Sequence, residues 1–137
     1  MIVEDSADCA ALLNHILIES KMCGEIKSFI SGEDAVNYLQ AASSGGDKNL
    51  LPHLIFLDLN LPGEYGLDTL VKIKKDPVLH SIPVLVMTAS DERSDLTDSY
   101  KKGGTVFLPK PIKKEMLIEV LTHMKITNVF TRSHELK

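Results

Sequence analysis

Residues 54–57 form a short apolar run, Leu-Ile-Phe-Leu, that stops at a single carboxylate, Asp58. A run this short and continuous predicts a β-strand buried on both faces, as in a parallel sheet covered by helices. Ligands of open parallel sheets bind just beyond the carboxyl ends of the strands, so Asp58 would lie where chemistry usually occurs. Asp and Pro are also common turn residues, and Pro62 follows closely. The run alone therefore leaves open whether Asp58 has a function or only begins a turn.

The rest of the chain alternates between stretches of strand and helix composition. The other predicted strands are residues 1–3, 25–31, 82–87 and 105–108. The first predicted helix is capped by Ser6 and closed by Cys23-Gly24, and the others span residues 31–42, 67–75, 91–102 and 116–124. This alternation predicts an α/β fold of the flavodoxin-like type, doubly wound, with five parallel strands in the order 2-1-3-4-5 and five helices.

Two predicted elements are unusual for such a fold. Residues 91–102 have the length of a helix, but their only large apolar side chains are Leu96 and Tyr100. A helix with so few core contacts can shift cheaply. The first strand, residues 1–3, is short for a strand inside a sheet, which leaves open whether residues precede Met1.

Length and composition indicate one globular domain. The chain has 137 residues, of which 44% are hydrophobic and 25% charged, and we assign residues 1–126 to the domain and residues 127–137 to a C-terminal tail. The net charge of −4 argues against nucleic-acid binding, which needs a basic surface. No apolar run approaches the roughly 20 residues of a membrane span, and no signal peptide opens the chain. We therefore expect a cytoplasmic protein without membrane association.

Polar side chains occur at four predicted strand ends. They are Glu4 and Asp5, Asp58, Thr88, and Lys110. Strands one and three are neighbours in the order 2-1-3-4-5, which brings the three acids together. Clustered carboxylates repel one another unless a cation neutralises them, and Mg²⁺ suits oxygen ligands of this kind. With the Thr88 hydroxyl and the Lys110 charge, the set predicts a site that stabilises a phosphoryl group on Asp58.

These residues resemble the receiver domain of two-component response regulators. The matching elements are the acidic pair Glu4-Asp5, Asp58 with Pro62 and Gly66 after it, Thr88-Ala89, and Lys110-Pro111. The resemblance covers residues 2–124, and its elements occur in order at predicted strand ends. It implies a phosphoprotein of phosphorelay signal transduction, which is not an enzyme beyond phosphorylating and dephosphorylating itself.

The resemblance implies a role for each acid. Asp58 would be the phosphoacceptor, taking a phosphoryl group from a phosphohistidine of a sensor histidine kinase. Asp5, Asp58 and the backbone carbonyl of Asn60 would bind Mg²⁺. Glu4 would contribute through the water shell of that ion.

The resemblance also implies a switch. Thr88 would hold a phosphoryl oxygen, Phe107 would turn inward as Thr88 moves, and Lys110 would pair with the phosphoryl charge. The Lys110-Pro111 peptide bond should be cis, as it is in the family.

The chain departs from the common family pattern at two of these positions. Glu4 stands where the family often has Asp, and Phe107 replaces a common tyrosine, so a signal that needs the tyrosine hydroxyl would be lost. The longer loop at residues 43–51 and the run at residues 80–84 resemble the single-domain regulators that partner phytochrome-type histidine kinases.

We expect a stand-alone regulator in which phosphorylation changes a protein-interaction surface. A homodimer is expected on the face of residues 91–102 and the last strand and helix, with Ile126, Val129 and Phe130 as candidate contacts. The downstream protein target is open. Two alternatives remain: a degenerate receiver that is a constitutive binding module, and a haloacid-dehalogenase-type phosphatase, although Asn60 replaces the second Asp that the latter family requires.

Overall fold

The computed structural model describes residues 1–21, 24–46, 48–61, 63–88 and 106–123. The helix predicted at residues 91–102 and the tail predicted at residues 127–137 lie outside this part of the chain. No helix in these ranges is long and apolar enough to cross a membrane.

A five-stranded parallel sheet forms the centre of the fold. Its strands are β1 (Ile2–Val3), β2 (Ser28–Phe29), β3 (Ile55–Asp58), β6 (Val84–Thr88) and β7 (Val106–Pro109). A two-residue antiparallel ribbon, β4 (Asn60–Leu61) with β5 (Glu64–Tyr65), follows β3. The strand order is β2-β1-β3-β6-β7 with parallel pairing throughout. Without the ribbon this is the order 2-1-3-4-5, so the predicted fold class is confirmed.

Four α-helices lie within the described ranges. They are α1 (Ala7–Glu19), α2 (Gly32–Ser44), α3 (Gly66–Lys75) and α4 (Lys114–His123). The predicted cap of the first helix is confirmed, because the Ser6 hydroxyl accepts a hydrogen bond from the Cys9 N–H at 3.3 Å. The predicted end of that helix at Cys23-Gly24 is wrong. The helix ends at Glu19, and Lys21 follows in the left-handed region with φ 55°.

Both faces of the sheet are buried. Val3, Leu57 and Val86 pack with residues of α2 and α3, while Ile2, Phe56 and Met87 pack with residues of α1 and α4. Successive residues of each central strand thus enter opposite cores, which explains why β3 is continuously apolar. On α4, Leu117 is fully buried in the core, whereas the neighbouring Met116 is 37% exposed.

Candidate functional site

The strand register places the predicted site at the carboxyl edge of the sheet. Val3 pairs with Leu57, so Glu4, which follows β1, lies beside Asp58 at the end of β3. Asp58 in turn pairs with Met87, one residue before Thr88. Thr88 pairs with Pro109, one residue before Lys110. Adjacent parallel strands therefore bring side chains from four separate parts of the sequence to one edge.

Three acids form a cluster there. Glu4, Asp5 and Asp58 each offer a carboxylate oxygen, and these oxygens lie within 4.8 Å of one another. Glu4 and Asp58 are buried, whereas Asp5 is exposed to solvent. The cluster is therefore a pocket of hard oxygen donors that is open on the Asp5 side.

A single lysine partly neutralises the cluster. The Lys110 ammonium lies 3.0 Å from Asp58 Oδ2 and also forms an ion pair with Glu4 Oε1. The backbone N–H of Lys110 donates to the Thr88 carbonyl at 2.9 Å, which fixes the start of this segment against β6. The Lys110-Pro111 bond is cis, as predicted.

The electrostatics at the site follow from burial and from this ion pairing. Burial raises the pKa of the Glu4 carboxyl from 4.5 to about 7, and a hydrogen bond with Asp58 adds to the rise while Lys110 opposes it. Burial alone would lower the pKa of Lys110. Its hydrogen bonds and charge interactions with Glu4 and Asp58 outweigh burial, so its pKa is raised and the side chain stays charged.

The backbone after β3 holds Asp58 in place. The Asn60 N–H donates to Asp58 Oδ1 at 3.1 Å, and the Gly66 N–H donates to the Leu59 carbonyl at 2.8 Å. A Cβ on Gly66 would lie 2.6 Å from the Leu59 Cα and closer still to the Asp58 carbonyl oxygen. The first residue of α3 must therefore be glycine for the helix to pack against the end of β3. The sequence analysis matched Gly66 to the family pattern but did not predict this packing role. The signal in the sequence that could have indicated it is a glycine at the start of a helix.

Thr88 and Phe107 lie on a common face of the sheet. Val86 pairs with Phe107, and alternate residues of a strand share a face, so Phe107 lies on the same side as Thr88. Thr88 is fully buried, whereas Phe107 is half-buried. The register therefore places the predicted switch residue Phe107 on the strand next to Thr88 and on the same face.

The donor set fits a hard divalent cation. Three carboxylates face one ammonium group, so at neutral pH a negative charge remains when all three acids are ionised. Carboxylate oxygens with one side open to water match the preference of Mg²⁺ for oxygen ligands and retained water molecules. Asn60, the fourth predicted ligand residue, lies in β4 with an exposed side chain, two residues after Asp58.

A doubly wound parallel sheet with acids at the ends of its first and third strands, a threonine at the end of its fourth and a cis-linked lysine after its fifth is typical of a phosphoacceptor signalling domain. The sequence matches the family described as response regulator receiver domain over residues 1–122. The chain belongs to this family and acts in two-component phosphorelay signalling.

Similar proteins include regulators from archaea and cyanobacteria. The probable methanogenesis regulatory protein FilR2 of Methanothrix harundinacea is 32% identical over 125 residues, which cover 91% of this chain and 79% of FilR2. The response regulator Rcp1 of Synechocystis is 34% identical over 110 residues, covering 80% of this chain and 74% of Rcp1.

Solved structures give the same picture. The Mn²⁺-bound form of Rcp1 has a TM-score of 0.71 at 32% identity, covering 90% of this chain and 88% of that one. The phosphorylated cyanobacterial phytochrome response regulator RcpA has a TM-score of 0.74 at 30% identity, with the same coverage of 90% and 88%. The predicted similarity to phytochrome-associated regulators is confirmed, and the two alternative functions are not favoured.

Proposed function

We propose that Asp58 accepts a phosphoryl group from a phosphohistidine of a sensor histidine kinase. The observation that carries this proposal is the environment of Asp58. Its buried carboxylate accepts a hydrogen bond from Lys110 on one oxygen and from the Asn60 N–H on the other, and it lies inside the acidic cluster. A carboxylate oxygen of Asp58 attacks phosphorus while the bond from phosphorus to the histidine nitrogen breaks. The products are an acyl phosphate and a neutral histidine. Later attack by water on phosphorus breaks the bond to the Asp58 oxygen, releases inorganic phosphate and regenerates the carboxylate.

Glu4, Asp5 and Asp58, with the backbone carbonyl of Asn60, would hold Mg²⁺. When bound, such an ion would supply positive charge against the phosphoryl oxygens. The negative charge of the phosphoryl oxygens also has to be compensated on the other side of the cluster. Lys110 would do this by exchanging its hydrogen bond with Asp58 for one with a phosphoryl oxygen. Support for a divalent ion also comes from Rcp1, whose structure carries Mn²⁺.

Phosphorylation would act on the rest of the molecule through Thr88 and Phe107. It adds roughly −1.5 to −2 units of charge at Asp58. The Thr88 hydroxyl turns to donate to the new oxygens, and the half-buried Phe107 on the same sheet face moves into the space that this frees. The proposed output of phosphorylation is a changed surface for binding partners.

The relatives indicate one binding partner, a kinase, and the sequence indicates another, a second copy of this chain. RcpA is a phytochrome response regulator by its description. We infer that the kinase for this chain is also of the phytochrome type. We also propose a homodimer in which Ile126, Val129 and Phe130 contribute apolar contacts, since these residues would otherwise expose apolar surface in a polar tail.

Intact-mass measurement after incubation with Mg²⁺ and acetyl phosphate tests the phosphoacceptor. We expect one phosphoryl adduct on the native chain and none on Asp58→Asn. Asp34→Asn is the matched control, because Asp34 is exposed at the start of α2 and lies outside the acidic cluster. No adduct on the native chain would instead identify a constitutive binding module, and an adduct on Asp58→Asn would move the phosphoacceptor elsewhere.

A further inference from the structure

A tyrosine lies on the short ribbon that follows Asp58. The ribbon begins two residues after Asp58, and its residue Asn60 pairs with Tyr65 on β5. The Asn60 N–H donates to Asp58 Oδ1 at 3.1 Å, so the backbone that pairs with Tyr65 also holds the carboxylate. On the other side of Tyr65, the Gly66 N–H donates to the Leu59 carbonyl at 2.8 Å. Tyr65 is therefore fixed by backbone contacts to the segment that carries Asp58.

Burial along this segment indicates the face on which the tyrosine lies. Every second residue from 57 to 61 is a leucine that is buried in the core beside α2 and α3. The intervening residues, Asp58 and Asn60, therefore face away from that core. Directly opposite residues of an antiparallel pair share a face, with Cβ atoms about 5 Å apart, so Tyr65 lies on the face of Asn60. Asp58, Asn60 and Tyr65 thus share one face of the chain.

The exposure of these side chains differs. Asp58 is only 2% exposed, whereas the Asn60 side chain is exposed to solvent. Tyr65 is 38% exposed, so more than half of its surface is covered by the protein and the rest faces solvent. A large aromatic side chain therefore stands at the boundary between solvent and the face that carries the buried carboxylate. Asp5 borders the acidic cluster on its open side.

Tyrosine does not suit the structural role of the same position. Tyr65 is the N-cap of α3, where Ser, Thr, Asp and Asn are preferred because a short side-chain oxygen can accept a hydrogen bond from the first turn. The ring of a tyrosine holds its hydroxyl away from these N–H groups. Residues that break a local rule of this kind are expected at functional sites. Tyr65 is thus better explained by its place beside Asp58 than by the stability of α3.

We propose that the ring of Tyr65 shields the acyl phosphate of Asp58 from water and so lengthens the lifetime of the phosphorylated state. This inference rests on the proposed phosphoacceptor role of Asp58. In hydrolysis a water oxygen attacks phosphorus, the bond from phosphorus to the Asp58 oxygen breaks, the water loses a proton to solvent, and inorganic phosphate leaves. The ring excludes water from the approach along the ribbon and takes no part in making or breaking bonds. Tyr65 is therefore a positioning residue that acts on water access.

The decay rate of the phosphoryl adduct measures this shielding. The native chain and its variants are phosphorylated with acetyl phosphate and Mg²⁺, the donor is removed by desalting, and the adduct is followed by intact mass. Tyr65→Asn should lose the adduct faster by on the order of threefold or more, because asparagine can cap α3 but does not exclude water. Tyr65→Phe should decay at the native rate because it keeps the ring.

Tyr38→Asn is the matched control. It makes the same substitution at a tyrosine of α2 whose ring lies 5.4 Å from that of Phe29, outside the acidic cluster. It loses an aromatic contact and should still keep the native decay rate. Faster decay in both asparagine variants would attribute the effect to a loosened fold and overturn the proposal.

Two further results would also overturn it. They are native decay in Tyr65→Asn, which would show that the ring excludes no water, and fast decay in Tyr65→Phe, which would assign the effect to the hydroxyl. A native chain that forms no adduct would refute the phosphoacceptor and this inference together. Formation of the adduct therefore tests the proposed function, and its decay tests the role of Tyr65.

Discussion

At the level of single residues, Glu4 and Asp58 compete for one lysine. Lys110 pairs with both carboxylates, and Glu4 is only 3% exposed, so its ionised form depends on that lysine. When Asp58 carries a phosphoryl group, the phosphoryl oxygens become a third anionic group that can pair with Lys110. The protonation of Glu4 is therefore linked to the state of the site.

The raised pKa of Glu4 predicts a pH-dependent stability in the metal-free protein. Its pKa is about 7 in the folded state against 4.5 for the free side chain, so the folded state binds more protons between these values. This contribution is complete below pH 4.5 and is lost as pH rises through 7. Lys110 adds no slope in this window, because its raised pKa matters only at higher pH.

Urea denaturation with a chelator present measures this dependence. Between pH 5 and pH 8, the free energy of unfolding of Glu4→Gln should rise by on the order of 1 kcal/mol relative to that of the native chain. The reason is that the neutral amide has no cost of ionisation. Glu33→Gln is the control, because Glu33 is exposed on α2. If the free energy of unfolding changed with pH in the same way for the native chain and for Glu4→Gln, this would contradict the raised pKa of Glu4.

The site residues were largely accessible to sequence reasoning because they follow strands. Glu4, Asp58 and Thr88 directly follow apolar residues of their strands, Asp5 and Lys110 come next to the same strand ends, and the sheet order brings these ends together. The direct ion pair of Glu4 with Lys110 was not predicted. It depends on the length and rotamer of the longer acid in three dimensions, which a sequence pattern does not contain. The structure brings the acids, Thr88 and Lys110 to one edge of the sheet, but the roles of all the site residues, Asn60 and Phe107 included, stay predictions.

At the level of elements, the contact of α3 with the end of β3 is the tightest constraint near Asp58. Alanine usually stabilises a helix interior relative to glycine by about 1 kcal/mol. At Gly66 the added methyl group would meet backbone atoms of Asp58 and Leu59, which cannot rotate away. Steric overlap should therefore outweigh helix propensity.

Gly66→Ala should lower the free energy of unfolding by about 1–3 kcal/mol and reduce the rate of phosphorylation by acetyl phosphate, because the helix is displaced from the site. Urea denaturation and intact-mass time courses measure the two effects. Gly24→Ala is the control, since a Cβ there would have no neighbour within 4 Å. An unchanged stability of Gly66→Ala would show that α3 can shift without cost.

Helices and strands could be predicted from the sequence where the local sequence signals agree. They could not be predicted where the backbone adopts a conformation that its residue types do not favour. Continuous apolar runs identified the central strands, and Ser6 and Ser31 cap their helices as their side chains suggest. The end of α1 was misplaced because Lys21 adopts a left-handed conformation that its residue type does not favour. The ribbon of β4 and β5 was also missed. Its turn was visible at Gly63, but strand pairing over two residues each is set by the surrounding fold.

For the whole molecule, the proposed binding of Mg²⁺ at the acidic cluster would link stability to metal concentration. An ion that binds only the folded state stabilises it by about 2.7 kcal/mol at a concentration one hundred times its dissociation constant. Mg²⁺ should thus raise the thermal midpoint at pH 8, and a chelator should reverse the effect. Asp5→Asn should lose most of this gain, whereas Asp8→Asn should keep it, because Asp8 is exposed on α1 outside the cluster. Equal gains in both variants would place the ion elsewhere.

The proposed homodimer allows phosphorylation to be tested separately from its output. Sedimentation velocity should show a shift from monomer to dimer when Mg²⁺ and acetyl phosphate are added, if the new charge at Asp58 reshapes the proposed surface. Asp58→Asn should remain monomeric because it cannot be phosphorylated. Val129→Asp with Phe130→Asp should also remain monomeric, because added charge disfavours an apolar contact, yet it should still gain the phosphoryl adduct, because Asp58 is unchanged. Thr131→Asp is the control for added charge. A native chain that stays monomeric at high concentration in both conditions would remove the dimer while leaving the phosphoacceptor intact.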